Sequence, residues 1–338
     1  MVTYRKTRFV CVSDTHAYIP SEAGFRLPPG DVLIHAGDLT KRGSKSELQR
    51  TMQWIRDADY EVKIVVAGNH DVTLDAPFYA EHGPRFHDQK LENAEECMEL
   101  VERSPSVIFL RHASALVKLT RPDGPRTMFK VFGSPYSRFQ GVWAFGYDSA
   151  EEAQRLWDQI PLDVDIVVTH TPPLGYCDHR REDGDKARSL GCDGLRQALS
   201  RVRPMLAVCG HVHEGRGYER VRWDDSDDGA SRSAQEAALP PMGSKKQSLV
   251  DLTGRKQRRL ENISYTGAAN ASSLPHGTVG ITNNGETPEG VIPARKETCI
   301  VNAAIMATSF PHKEGKRFHK PIVVDLDLPA WDSDLNPT

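Results

Sequence analysis

Residues 62–71 read Val-Lys-Ile-Val-Val-Ala-Gly-Asn-His-Asp: a β-branched run that stops at a glycine and then delivers a carboxamide, an imidazole and a carboxylate. Val62 to Val66 is short and bounded by a turn signal, the pattern of a buried strand. Working outward, the same arrangement recurs four times. Phe9 to Val12 leads to Ser13-Asp14-Thr15-His16, and Val32 to Ile34 leads to His35-Ala36-Gly37-Asp38. Ile166 to Val168 leads to Thr169-His170, and Leu206 to Val208 leads to Gly210-His211-Val212-His213. Met128 to Phe132 is a further apolar run. Between the runs lie helical patterns with readable starts. Ser44 with Glu47, and Ser149 with Glu152, fit capping boxes. Behind them Leu48, Met52 and Ile55, then Ala153, Leu156, Trp157 and Ile160, each form one apolar stripe. Alternating strands and helices define an α/β fold class, in which the carboxyl ends of strands line the ligand crevice.

Five strand tips therefore offer donors at one end of the fold. Asp14 with His16, and His211 with His213, are two residues apart, the spacing that points both side chains one way in extended chain. The set holds two carboxylates (Asp14, Asp38), four imidazoles (His16, His170, His211, His213) and the Asn69 carboxamide. One catalytic ion usually takes three or four protein ligands, so this supply suits two divalent ions about 3.5–4 Å apart, with one carboxylate able to bridge them. Mixed nitrogen and oxygen donors suit Mn, Fe and Zn alike. His35 falls inside a strand and is expected to pack there; His82, His87, His112, His276, His312 and His319 have no motif around them.

The motifs Asp14-Thr15-His16, Gly37-Asp38, Gly68-Asn69-His70-Asp71, Thr169-His170 and Gly210-His211-Val212-His213 resemble those of the calcineurin-like metallophosphoesterase superfamily. The strings Phe132-Gly133-Ser134-Pro135-Tyr136, Thr171 to Tyr176 and Cys209 to Gly217 resemble its branch of metallophosphoesterase-domain-containing, fetal-brain 239-like proteins. The resemblance implies a four-layer αββα sandwich of two mixed sheets flanked by helices. It places Asp14, His16, Asp38 and His213 on a first metal, and Asp38, Asn69, His170 and His211 on a second, with Asp38 as the bridge. Some members of that branch lack the ligand at the position of His211; this chain keeps it, which favours catalysis over residual binding. The implied reaction is hydrolysis of a phosphate ester by hydroxide bridging the two ions. His70, outside the ligand pattern, would bind the phosphate and protonate the leaving alkoxide. The branch leans toward phosphodiesters, cyclic nucleotides among them, with small phosphate esters or nucleotides as the binding partners. A phosphomonoesterase or protein phosphatase, and a nonenzymatic metal or nucleotide binder such as the retromer subunit of this fold, are the alternatives.

Composition bounds the rest. The 338 residues allow one large domain or two modest ones. A formal charge of -3 gives no global positive field for nucleic acid or an anionic membrane, which also argues against a nuclease. Residues 1–223 with 298–338 are expected to form a single metallophosphoesterase domain. Residues 224–297 contain one aromatic, Tyr265, and open on the acidic run Asp224, Asp225, Asp227, Asp228, so a low-complexity, mostly disordered insertion is expected. That insertion departs from the compact animal relatives. Six cysteines without a CxxC pair read as reduced, and the first apolar run is too short for a leader, so the expected setting is cytoplasmic; the basic run 255–259 would admit a nuclear address. Tyr136, Phe139, Trp143, Phe145 and Tyr147 read as core before they read as a base-stacking face. His179, Arg180, Arg181, Lys186 and Arg188 read as a solvated loop before they read as a lid.

Overall fold

Phe9 and Cys11 turn to one face of their strand and Val10 and Val12 to the other, and that alternation sets the layering of the molecule. A computed structural model describes residues 3–138, 141–181, 187–223, 231–234, 239–262, 280–282, 295–308, 312 and 315–331. In chain order the strands are β1 (Tyr4–Val12), β2 (Val32–Ala36), β3 (Val62–Val66), β4 (Val107–Phe109), β5 (Ala113–Lys118), β6 (Met128–Ser134), β7 (Ser137–Arg138), β8 (Gly146–Tyr147) and β9 (Ile166–Thr169). There follow β10 (His179–Arg181), β11 (Ala187–Ser189), β12 (Leu206–Cys209), β13 (Gly217–Trp223), β14 (Ser231–Ala234), β15 (Ser248–Asp251), β16 (Gly280–Thr282), β17 (Glu297–Asn302) and β18 (Ile322–Pro329).

One sheet has the order β15-β18-β1-β2-β3-β4 and the other β14-β13-β17-β12-β9-β6-β5-β16. Both are mixed. In the first, β1 to β4 are parallel while β18 runs antiparallel to β1. In the second, β6, β9, β12 and β17 are parallel, with β5 and β13 antiparallel to their neighbours. Phe9, Cys11, Ile34 and Ile64 from one sheet meet Val131, Val168, Val208 and Val301 from the other in a single apolar layer. On the outer face of the first sheet, Val10, Leu33 and Val65 pack on Leu48, Met52 and Ile55 of helix Lys45–Asp57. On the outer face of the second, Phe132, Val167 and Ile300 cover Ala153 and Trp157 of helix Ala150–Trp157 and Leu195 and Leu199 of helix Asp193–Val202. The fold is thus the expected αββα sandwich.

The Ser44–Glu47 capping box is complete, with side chain and backbone bonds in both directions. At Ser149 only half forms: its hydroxyl accepts from Glu152 N, while the Glu152 carboxylate accepts from Asp148 N. All six cysteines are free and buried. No helix among the described residues is long and apolar enough to cross a membrane.

Part of the stretch 224–297 belongs to the ordered fold. Residues 239–262 are placed; residues 224–230, 235–238, 263–279 and 283–294 lie outside the described ones. Strand β15 pairs in parallel with β18 and extends the first sheet, and Val250, Leu252 and Leu260 join the inter-sheet core. Few apolar residues suffice because the rest of the anchoring is ionic. Buried Arg220 donates from Nε and Nη2 to Glu297 at 2.9 Å each, Arg258 adds a second guanidinium to the same carboxylate at 2.5 Å, and Arg259 pairs with Asp327 at 2.8 Å. The basic run 255–259 is therefore in part tied down. Burial alone would raise the Glu297 carboxyl, but Arg220, the Glu261 amide and Arg258 outweigh it and hold it below its ordinary value. Glu297→Gln leaves Arg220 without its counter-charge and is expected to cost about 3–5 kcal/mol near neutral pH. Because the folded carboxyl is the stronger acid, its contribution is present above the ordinary carboxylate range and lost as pH falls through it. Urea unfolding of both proteins should show the gap narrowing in acid.

Candidate metal centre

The tips of β1, β2, β3, β9 and β12 converge across the two sheets, and all seven expected donors meet there with His70 beside them. The convergence does not come from strand pleating. Asp14, His16, Asp38 and His211 have φ of 55°, 43°, 54° and 66°, so each sits in left-handed backbone just past its strand. Non-glycine residues rarely occupy that region, and such strain concentrates at functional sites. Asp14 and His16, and His211 and His213, lie together not through extended-chain alternation but because the chain curls around the site.

On one side, His16 Nε2 lies 3.4 Å from His213 Nε2 and 3.7 Å from Asp38 Oδ2, while His213 Nε2 lies 3.4 Å from Asp14 Oδ1. On the other, Asn69 Oδ1 lies 2.9 Å from both His170 Nε2 and His211 Nδ1, which are 3.2 Å apart; Asp38 Oδ1 is 3.4 Å from His170 Nε2. Asp38 therefore turns one oxygen to each group. Atoms bonded to a common ion at about 2.1 Å stand roughly 3.0–3.4 Å apart in octahedral or tetrahedral geometry, close to the spacings here.

Backbone carbonyls decide which nitrogens face inward. His16 Nδ1 is 3.2 Å from Thr40 O, His213 Nδ1 is 3.3 Å from Thr308 O, and His170 Nδ1 is 3.0 Å from Ala36 O. A carbonyl only accepts, so in each neutral ring Nδ1 carries the proton and Nε2 presents a lone pair. Lone pairs of His16 and His213 then face one another, and that of His170 faces the Asn69 oxygen. Between neutral rings such contacts repel unless a proton or a metal cation lies between them, and with two carboxylates and a carboxamide beside the rings the donor set fits a metal centre. Burial drives His16 and His211 down to about 3, keeping both rings neutral as ligands must be. Burial would raise Asp14 and lower His213, but a proton on His213 Nε2 bonds the Asp14 carboxylate and wins in both, leaving Asp14 below and His213 above its ordinary value; Asp38 and Asp14 likewise raise His170 against its burial, and a divalent ion would take the place of those protons. For Asp38 the balance is similar, with burial overcome by His170, His70 and His16.

Several supporting roles could not be assigned from the sequence, although Asp71 itself stands in the Gly68-Asn69-His70-Asp71 motif. Asp71 is fully buried and accepts from the backbone N–H groups of Leu39, Thr40 and Gly68 and from the Thr40 hydroxyl, tying the β2 tip to the β3 tip. Burial, then the charge of Asp38, pushes it up to about 7. Asn302 donates to the carbonyls of Cys177, Gly210 and Val212 and so fixes the loop bearing His211 and His213. The nearest available signal was the position of Asn302 at the end of the last strand run but one, as for the ligands themselves.

His70 is half-exposed at the rim. Its N–H donates to Asp38 Oδ1 at 2.9 Å, its Nδ1 lies 2.8 Å from Lys41 O, and its ring packs on Trp143 with centres 3.9 Å apart. A ring nitrogen also lies within 4.8 Å of donor atoms of His16 and Asp38, so geometry alone admits it as a ligand. Phe145 and Tyr147 are core, as expected; Tyr136 and Trp143 are half-buried, and Phe139 lies outside the described residues. His35 is buried within β2 with its Nε2 2.9 Å from Thr15 Oγ1. His179, Arg180 and Arg181 lie on β10 and Arg188 on β11, a separate two-stranded ribbon; His179, Arg180 and Arg188 are exposed, and Lys186 and His276 lie outside the described residues.

Two glycines are dictated by the site. A Cβ on Gly210 would stand 2.2 Å from Asp14 Oδ2 and 2.0 Å from Ser13 Oγ, and one on Gly68 would stand 2.3 Å from the Asp38 nitrogen and Oδ1. Gly210→Ala is expected to displace Asp14 and lower bound metal by about 10- to 100-fold in affinity, as outer contacts of metal sites commonly do. Metal analysis after dialysis, with circular dichroism to confirm the fold, checks this.

Comparison with known proteins agrees with the geometry. The sequence profile described as calcineurin-like phosphoesterase matches residues 7–215. Metallophosphoesterase domain-containing protein 1 of Homo sapiens is 37% identical over 219 residues, 62% of this chain and 62% of that protein, and its Mus musculus counterpart gives the same figures. A protein of Emericella nidulans named probable rhamnogalacturonate lyase C is 41% identical over 219 residues, 64% of this chain and 18% of that protein. The chain thus matches less than two thirds of the length of each of these relatives.

Proposed function

The chain belongs to the calcineurin-like phosphoesterase family, and from that premise we propose that it is a dinuclear-metal hydrolase of phosphate esters, with phosphodiesters, cyclic nucleotides included, as its favoured class. The observation that carries the reading is the set of inward-facing Nε2 atoms of His16, His213 and His170, held there by three carbonyls. Asp14, His16, Asp38 and His213 would hold one divalent ion, and Asp38, Asn69, His170 and His211 the other. When bound, the ions supply Lewis acidity: they acidify water and draw charge from the phosphoryl oxygens.

The chain's own residues supply the rest. Asp38 is fixed between the groups by the His70 amide, and Asp71 braces the two loops that carry Asp38 and Asn69. With Nδ1 of His70 committed to the Lys41 carbonyl, Nε2 is the nitrogen left to bind the phosphate and to pass a proton to the leaving oxygen. After transfer the ring is neutral and still bonded to Lys41. Trp143 limits how far that ring can swing.

The test is a substrate panel. Protein loaded in turn with Mn, Fe or Zn is offered aryl phosphate mono- and diesters and 2′,3′- and 3′,5′-cyclic nucleotides. Turnover of diesters above monoesters, abolished by chelator, is expected. Tight metal binding with no turnover of any ester would leave a binding scaffold instead, and nicking of plasmid DNA would indicate a nuclease.

A further inference from the structure

Tyr18 follows His16 by two residues, and its ring carries two ammonium groups: Lys41 Nζ stands 4.4 Å and Lys316 Nζ 5.0 Å from the ring centre. Lys316 also donates to the Tyr18 hydroxyl, and Phe318 packs on the ring with centres 5.0 Å apart. Two like charges gathered on one ring repel, and a neutral ring offsets only part of the cost. Chains commonly settle such a pair with a carboxylate. Among the described residues neither Lys41 nor Lys316 is in an ion pair, and both are exposed.

The backbone fastens this cluster to the metal centre. Ala17 N donates to Leu39 O at 2.8 Å, Tyr18 N to Thr15 O at 2.8 Å, and the Lys41 carbonyl accepts from His70 Nδ1 at 2.8 Å. The Lys41 main chain therefore links the cluster directly to His70, the residue proposed to protonate the leaving group.

We propose that Lys41, Lys316 and the Tyr18 hydroxyl form a second anion subsite, which receives a carboxylate or phosphate carried by the leaving group of the substrate. The proposal rests on the phosphoesterase reading and narrows it to esters whose leaving group bears its own oxyanion. A charged oxyanion there accepts from both ammonium groups and removes their repulsion. Hydrogen bonds to charged groups are among the stronger ones, so about tenfold in affinity is expected from the subsite.

The experiment titrates ω-carboxyalkylphosphonates of increasing chain length, each beside its carboxylate methyl ester, into the full-length metal-loaded protein by calorimetry. At a matching chain length the acid should bind about tenfold more tightly than its ester. That ratio should fall toward one in Lys316→Met and in Lys41→Met, with circular dichroism confirming that both fold. A ratio near one at every length in the wild-type protein, or an advantage that survives in the double variant, overturns the subsite while ester binding shows the phosphoryl centre intact. If neither acids nor esters bind the wild-type protein, the phosphoesterase reading fails and the subsite with it.

Discussion

Asp38→Asn should lower the proposed phosphate-ester hydrolysis by about 1,000-fold while the protein still folds. The size follows from removing one preorganised charge at a water-poor centre, which costs on the order of 100- to 1,000-fold in comparable sites. Asp38 also turns one oxygen toward His16 and the other toward His170, so its loss weakens both halves of the site together. The fold should survive because the residue sits at φ 54°, a conformation that Asn tolerates as well as Asp does. Without the Asp38 charge, Asp71 loses one of the causes that raise it toward about 7 and ionises more readily. Steady-state rates, metal content per chain and thermal unfolding should be measured together. A variant that keeps both ions and a tenth of its activity would show that Asp38 does not bridge.

His70→Ala should separate chemistry from metal binding. For an ester with an alkoxide leaving group, loss of a positioned general acid is expected to slow turnover by about 100- to 10,000-fold. For p-nitrophenolate, which departs without a proton, the loss should be far smaller. Metal content should not change, because His70 Nδ1 is spent on Lys41 O and the amide contact to Asp38 is made by the backbone. An equal loss for both leaving groups, accompanied by a drop in bound metal, would make His70 a ligand, as its proximity to His16 and Asp38 permits.

Much of this site was legible in the sequence because its chemistry is local. Each donor lies one to five residues beyond an apolar strand run, and the runs are unambiguous. What supports the donors is not local. The Thr308 carbonyl behind His213, the Asn302 carboxamide beneath the 210–213 loop and the Trp143 ring on His70 come from distant segments, and a carbonyl has no letter in a sequence. The strand Ser248–Asp251 was hidden by similar physics. The sequence around it is polar, and the residues that follow are anchored by Glu297 and Asp327 pairing with Arg258 and Arg259 across the chain as well as by Val250, Leu252 and Leu260 in the core. Composition correctly registered little apolar surface there, but it could not register partners that remove the need for it.

The donors are divided between the sheets: Asp14, His16, Asp38 and Asn69 follow strands of one, His170, His211 and His213 strands of the other. Ions seated among them would act as rivets through the sandwich, resisting any slide of one half against its mate. Chelation should then do more than remove the proposed activity: it should let the two halves part at a lower temperature, so that loading and melting become a single measurement.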